Sequence, residues 1–269
     1  MSVPNTRHTV IDDRKLAGRE AGKGSALVFI HGMGGNSRNW ETQYAQFSDR
    51  YRVIGWDAPG YGESDNWPTD EPTVADYTAK LAALLNAVEV DRAHLVGHSF
   101  GATLMPAFRN DYPDRVASMV LAQPVIGSGP LGEDKQAEII AEREKLLADL
   151  GVEAYARDHA PKSCAATADA ATVRKGVEVM SWTRLEGYLA QWRAMARANI
   201  MQEIPDDPGP TTVVAGSGDK TASQDVVRRI VDALTGAELV ELPDVGHMIY
   251  IEHPERFNGA LKAHLARSG

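Results

Sequence analysis

The sequence predicts an α/β fold in which a mostly parallel, doubly wound sheet carries a helical cap. Three observations support this prediction. Short apolar runs alternate with helical patterns, several apolar runs end in glycine-rich loops, and residues 127–205 contain no convincing strand. Continuous apolar strands of four to eight residues are typical of a parallel sheet whose two faces are both covered. Regular alternation of strands and helices is typical of a doubly wound fold.

The first half of the chain supplies most of the predicted strands. Two extended stretches on either side of Asp12-Asp13 predict an opening hairpin. "SALVFI" and "YRVIGW" are apolar runs that each lead into a glycine-rich loop, and "AHLVG" and "VASMVLAQP" are two further strands. The helix "TVADYTAKLAALLNAV" precedes the last pair, and Thr73 and Asp76 at its start have capping-box-like spacing.

The alternation stops after Pro124 and resumes near residue 210. Residues 127–205 are rich in Ala, Glu, Arg and Lys at helical spacing. A strand "TTVVAG", a helix "SQDVVRRIVDALT", a strand "AELVEL" and a final helix then complete the pattern. We therefore predict one core from residues 1–126 and 206–269, with residues 127–205 as a helical cap, or lid, inserted into it.

The charge and the apolar runs of the chain indicate which classes of partner it can bind. The chain has 269 residues, a net charge of −9 and no block of basic residues, so we expect no nucleic-acid partner. The same lack of a basic block makes an anionic membrane a poor partner, and no apolar run approaches the 18 residues of a membrane span. One cysteine and the lack of a signal-like apolar segment near the N-terminus predict a cytoplasmic location. The sequence leaves the oligomeric state open.

The stretch "LVGHSFGATL" matches the pattern G-x-S-x-G at a strand-to-helix turn. Gly97 and Gly101 flank Ser99 at positions −2 and +2, although glycine weakens both strands and helices. At such a turn a strained backbone exposes the serine, and the free N–H groups of the helix N-terminus point toward it. Ser99 is therefore the predicted nucleophile.

A serine hydroxyl needs a base, and the base needs an acid that orients it. On a strand–turn–helix site of this kind, the acid and then the histidine follow the serine along the chain. His247 follows the strand "AELVEL", and Asp219 follows the strand "TTVVAG", so both lie where a parallel sheet gathers its catalytic groups. We prefer them to the less suitably placed His159, His253, His264, Asp225 and Asp244.

The oxyanion of an acyl intermediate needs backbone donors. The predicted donors are the N–H groups of Phe100, directly after the nucleophile, and of Met33, in the loop after "ALVFI". The predicted substrate pocket is apolar and consists of Met33, Phe100, Met180, Trp182, Tyr188, Trp192 and Met248. No metal site or cofactor is predicted.

Five segments resemble the α/β-hydrolase family in order and spacing. They are "FIHGMGGNSRNW", "VIGWDAPGYGESD", "LVGHSFGA", "GSGD" and "VGHMIYIEHPERF". Within the family the core and "RLEGYLAQWRAM" look most like small enol-lactonases and esterases. The resemblance implies an α/β-hydrolase fold, with a lid where residues 127–205 are inserted.

These observations together predict a cofactor-free serine hydrolase of small carboxylic esters or lactones that forms an acyl-enzyme. A C–C bond hydrolase of ring-cleavage products uses the same triad and is the alternative enzyme. Such enzymes usually carry a Gly-Pro-Gly run in the oxyanion loop, and "HGMGGNS" lacks it. A small-ligand receptor on the same fold, with little or no turnover, is the alternative from another class.

Overall fold

The structure, a computed structural model, describes residues 3–268. Eight strands in this range form one sheet in the order β1-β2-β4-β3-β5-β6-β7-β8. The strands are β1 (Thr6–Ile11), β2 (Arg14–Ala21), β3 (Ser25–Ile30), β4 (Tyr51–Trp56), β5 (Ala93–His98), β6 (Val116–Ala122), β7 (Thr211–Gly216) and β8 (Glu238–Leu242).

The helices surround the sheet and fill the interval between β6 and β7. They are α1 (Glu41–Phe47), α2 (Val74–Ala87), α3 (Phe100–Asp111), α4 (Glu133–Ser163), α5 (Ala170–Ser181), α6 (Leu185–Arg197), α7 (Gln224–Ala233), α8 (Ile249–Glu252) and α9 (Pro254–Ser268). Short 3-10 turns occur at Ser37–Trp40, Pro113–Arg115, Gly129–Leu131 and Ile200–Gln202. None of the helices within residues 3–268 has the length and apolar character needed to cross a membrane.

The predicted opening hairpin and the predicted parallel sheet are both present. Asp12 and Asp13 adopt positive φ, as a tight two-residue turn requires, and join β1 to β2 in antiparallel register. β2 is also antiparallel to β4, whereas the remaining neighbours pair in parallel. Every residue of β5 and β7 is buried, because helices cover both faces of the sheet.

The described chain has no strand between β6 and β7, where α4, α5 and α6 form the helical cap. α4 changes direction at Gly151, whose φ of 71° and ψ of 163° are not helical. Leu147, Tyr155, Met180 and Tyr188 pack into a small apolar core of the cap, and Met248 joins them from the loop after β8. The cap is therefore attached to the sheet domain beside that loop. We keep residues 127–205 as its proposed extent.

A buried polar network connects the sheet to α9. The ring of His264 lies 2.8 Å from Thr212 Oγ1 through Nδ1 and 2.7 Å from Ser118 Oγ through Nε2. His94 Nδ1 lies 2.7 Å from the same Ser118 oxygen. Burial, with help from His94 and Arg267, lowers the pKa of His264 to about 4, and burial also lowers the pKa of His94. Both rings are therefore neutral at pH 7.

This network predicts that acid destabilises the fold. The pKa of His264 is lower in the folded than in the unfolded state, so the unfolded chain binds more protons between pH 6.5 and 4. The free energy of unfolding should therefore fall as pH falls through this window, by up to about 1.4 kcal/mol per pH unit for each such histidine. Urea unfolding at pH 7.5 and 5.0 measures this loss. His264→Gln should show a smaller loss than the wild type, and equal losses would contradict the assignment.

Candidate active site

Ser99 lies at the turn between β5 and α3. Its φ of 54° and ψ of −116° fall in a region that non-glycine residues rarely adopt. Its N–H donates to Ala122 O on the neighbouring strand at 2.9 Å, which fixes the turn against the sheet. Such strain costs about 1–3 kcal/mol and persists only where surrounding contacts hold it. This is the strand–turn–helix geometry expected of a G-x-S-x-G nucleophile.

The two glycines of the motif allow the turn to close. A Cβ at Gly97 would lie 2.5 Å from the carbonyl group of Gly101. A Cβ at Gly101 would lie 2.2 Å from Ile30 O on β3. Both distances are far below van der Waals contact with backbone atoms that cannot move aside, so β5, α3 and β3 approach each other only without these side chains.

Asp219 and His247 are in direct contact, although 28 residues separate them. His247 Nδ1 lies 2.7 Å from Asp219 Oδ2, and the Asp219 side chain is fully buried. The other carboxylate oxygen accepts from the N–H groups of Thr221 at 2.7 Å and Ala222 at 3.1 Å. This arrangement fixes the ring and leaves Nε2 as the nitrogen available to a serine.

The backbone around His247 is held from both the core and the cap. The N–H of His247 donates to Ser163 O at the end of α4, at 2.7 Å. Its carbonyl oxygen accepts from His98 Nε2 at 2.7 Å, and the preceding carbonyl of Gly246 accepts from Gln123 Nε2 at 2.6 Å. The position of His247 therefore depends on groups from three separate segments.

His98, the residue before the serine, has a defined tautomer. Because Nε2 donates to a carbonyl oxygen, Nδ1 carries no proton, and it is buried without a partner within residues 3–268. Burial, together with the neighbouring His247, lowers the pKa of His98 to about 3. The two imidazole rings lie 4.9 Å apart, so a neutral His98 places no like charge beside the ring of His247.

Glu252 connects the cap to the same loop. Its Oε2 accepts from the N–H groups of Ala165 at 2.9 Å and Gly246 at 3.0 Å, and its Oε1 accepts from Met248 at 3.2 Å. Carboxylates make strong hydrogen bonds to backbone N–H groups. One side chain thus binds the amides on both sides of His247 together with that of Ala165, two residues after the end of α4.

Ser99 and His247 line one cavity of about 150 Å³ between core and cap. Five of the predicted pocket residues also line it, namely Met33, Met180, Tyr188, Trp192 and Met248. The N–H groups of Met33 and Phe100 have no acceptor within residues 3–268, so both are available to an oxyanion. His31 fixes the Met33 loop, because its Nε2 accepts from Ala58 N at 3.1 Å.

The structure corrects the predicted pocket at two side chains. The ring of Phe100 is fully buried on the other side of the turn, 5.0 Å edge-on to Tyr77, and does not line the cavity. Trp182 also lies outside the lining, where the guanidinium of Arg38 covers its ring at 4.1 Å. Phe100 was predicted from its place after the nucleophile and Trp182 from its place in the cap, and neither position determines the direction of a side chain.

Three residues of α4, Arg143, His159 and Ser163, line the cavity but were not among the predicted pocket residues. The one available signal is the spacing Ile139, Arg143, Leu147, which places an arginine at i, i+4 within an apolar stripe. His159 stacks on Tyr155 with ring centroids 4.9 Å apart. Burial and then the charge of Arg143 lower the pKa of His159 to about 4. A cation and a neutral imidazole thus face a cavity that was predicted to be apolar.

The fold and this constellation define an α/β hydrolase. The alpha/beta hydrolase family model matches residues 27–260, and the chain belongs to this family. A protein from Paraburkholderia phymatum named 2-hydroxy-6-oxononadienedioate/2-hydroxy-6-oxononatrienedioate hydrolase is 31% identical over 260 residues, which cover 90% of this chain and 86% of that protein.

Two solved structures have folds similar to that of this chain. An esterase from Thermogutta terrifontis with malate bound aligns with a TM-score of 0.88 at 23% identity, over 98% of this chain and 99% of that one. The enol-lactonase from Burkholderia xenovorans LB400 aligns with a TM-score of 0.84 at 24% identity, over 97% of this chain and 100% of that one. Family and relatives together support hydrolase activity.

Removal of Glu252 should loosen the loop that carries His247. In Glu252→Ala the amides of Ala165, Gly246 and Met248 lose a charged acceptor, so their hydrogen exchange should be at least about 10-fold faster. Exchange followed by mass spectrometry on peptides that cover these residues measures the effect. Glu255→Ala removes an exposed carboxylate from the start of α9 and serves as the matched control. Unchanged exchange in Glu252→Ala would contradict the proposed connection.

Proposed function

We propose that the protein is a serine hydrolase of small carboxylic esters or lactones. The observation that carries the proposal is the buried Asp219–His247 pair, which opens onto the same cavity as the strained turn of Ser99. A nucleophile, a base and an orienting acid in this arrangement are the requirements for acyl transfer through a covalent intermediate.

In the proposed reaction, Ser99 Oγ attacks the acyl carbon and His247 Nε2 takes the serine proton. His247 then gives this proton to the leaving oxygen, which departs as an alcohol and leaves an acyl-enzyme. Water attacks the acyl-enzyme with His247 as the base, and Ser99 is released with the acid product. Asp219 stabilises the charged imidazole, and the N–H groups of Met33 and Phe100 stabilise the oxyanion.

The size of the cavity favours a small substrate. About 150 Å³ is comparable to a cavity that holds one benzene molecule, and it is smaller than the roughly 300–1,000 Å³ of drug-sized ligand pockets. The apolar part of the wall comes from the cap, through Met180 and Trp192, and from Met33 and Met248 of the core. Short acyl chains and small rings therefore fit best.

C–C bond hydrolysis is the second candidate, and the 31% identical relative named for a dienedioate supports it. The same nucleophile, base and acid serve that reaction, in which a carbon atom rather than an oxygen atom leaves. A substrate panel separates the two candidates, because ester hydrolysis releases an alcohol whereas C–C hydrolysis releases a dienol that reverts to its keto form. A ligand receptor would show neither product.

Ser99→Ala should lower kcat for the best ester or lactone by about 10⁴- to 10⁶-fold, because no other group of the site replaces the nucleophile. Steady-state kinetics on purified protein measures the loss. Ser163→Ala is the matched control, because Ser163 is the other serine that lines the cavity and its hydroxyl donates to His159 O. This variant should keep at least about a tenth of the wild-type rate.

Two outcomes would contradict the proposal. Near-normal turnover by Ser99→Ala would remove this serine from the mechanism. Binding of esters without release of alcohol, and without a burst of chromophore from p-nitrophenyl esters, would assign the protein to the receptor class instead.

A further inference from the structure

Arg143 lies on α4 in the wall of the cavity, among aromatic side chains. Its Nη1 donates to the hydroxyl oxygens of Tyr155 and Tyr188, both at 2.5 Å. Its guanidinium carbon lies 3.9 Å from the ring centroid of Trp192. The two tyrosine hydroxyls are also 2.8 Å from each other. Three aromatic residues from two cap helices thus fix the orientation of one cation.

No acidic residue neutralises this cation. Within residues 3–268 Arg143 forms no ion pair, whereas its neighbour on α6, Arg193, pairs with Glu144 at 2.6 Å. The N–H groups on Nε and Nη2 have no acceptor in the same range, and neither nitrogen is sealed from solvent. These N–H groups are therefore free to donate to a carboxylate that enters the cavity.

Within residues 3–268, the rest of the cavity wall carries no acidic side chain to offset the charge of Arg143. Neither Asp nor Glu lines the cavity, and Arg143 is its one Lys or Arg among the described residues. This contrasts with the net charge of −9 of the whole chain. His159 also lines the cavity, stacked on Tyr155, and its lowered pKa of about 4 keeps its ring neutral at pH 7.

We propose that Arg143 binds a carboxylate of the substrate. The substrates are then half-esters of short dicarboxylic acids, or lactones that carry an acid side chain, rather than neutral esters. A planar fork of N–H donors matches a planar carboxylate, and the small cavity suits a short chain with one anionic end. The substrate would lie with its carboxylate at the cap and its reacting carbonyl at Ser99. This proposal rests on the proposed function.

The test uses two p-nitrophenyl esters of nearly equal shape. Mono-p-nitrophenyl glutarate carries a terminal carboxylate, and p-nitrophenyl 5-methylhexanoate carries an isopropyl group in its place. The wild type should prefer the glutarate ester in kcat/KM. Arg143→Met should lower the ratio of the two kcat/KM values by about 10- to 100-fold, which corresponds to the loss of a hydrogen bond between charged groups. Arg143→Lys, which keeps the charge without the fork, should give an intermediate ratio.

Arg157→Met is the matched control, because Arg157 lies on the same helix but is exposed and pairs with Glu153 outside the cavity. Its ratio should equal that of the wild type. A purely structural role for Arg143 predicts that Arg143→Met slows both esters equally and leaves the ratio unchanged. That result, or a wild type that prefers the neutral ester, would overturn the carboxylate site.

Binding of glutarate itself separates the two proposals. Calorimetry should detect glutarate binding to the wild type. The affinity for glutarate should fall by about 10-fold or more in Arg143→Met and should be unchanged in Arg157→Met. Glutarate binding that depends on Arg143, without hydrolysis of either ester, would support the carboxylate site and contradict the proposed hydrolysis. Hydrolysis of the neutral ester without glutarate binding would support the proposed hydrolysis and contradict the carboxylate site.

Discussion

The site depends on the hydrogen bond between Asp219 and His247, because this bond determines which nitrogen of the imidazole is free to act. The acid follows β7 directly and is fixed by backbone N–H groups of its own turn. The histidine lies on a loop after β8 and is held through its backbone by His98, Ser163 and the amides bound to Glu252. Two of these anchors involve the end of the cap helix α4, so the cap supports the base as well as enclosing the cavity.

The core and the cap form opposite ends of the cavity, so substrate specificity and reaction chemistry depend on different parts of the molecule. The core forms one end of the cavity. This end contains the strained turn of Ser99 and the backbone N–H donors beside it. The other end belongs to the cap, where Arg143 is oriented by Tyr155, Tyr188 and Trp192. Changes in the cap can therefore alter which small molecules bind while the reacting groups stay in place.

Much of the fold and of the site's polar chemistry could be predicted from the sequence, because both depend on local patterns. Apolar runs followed by glycine-rich loops mark parallel strands, and the carboxyl ends of such strands meet at one edge, which brings Ser99, Asp219 and His247 into one region. Phe100 and Trp182 do not line the cavity, since a place beside the nucleophile or in the cap does not give the direction of a side chain. Arg143 and Glu252 were missed because their roles arise from contacts between segments far apart in sequence.

A crystal structure of the protein after reaction with a small p-nitrophenyl alkylphosphonate would test the role of Ser99 most directly. We expect phosphorus bonded to Ser99 Oγ. The phosphonyl oxygen should lie at about 2.7–3.1 Å from the N–H groups of both Met33 and Phe100. His247 should remain bound to Asp219 in that adduct. A phosphonyl group on another residue, or an oxygen directed away from both N–H groups, would contradict the proposed roles of these residues.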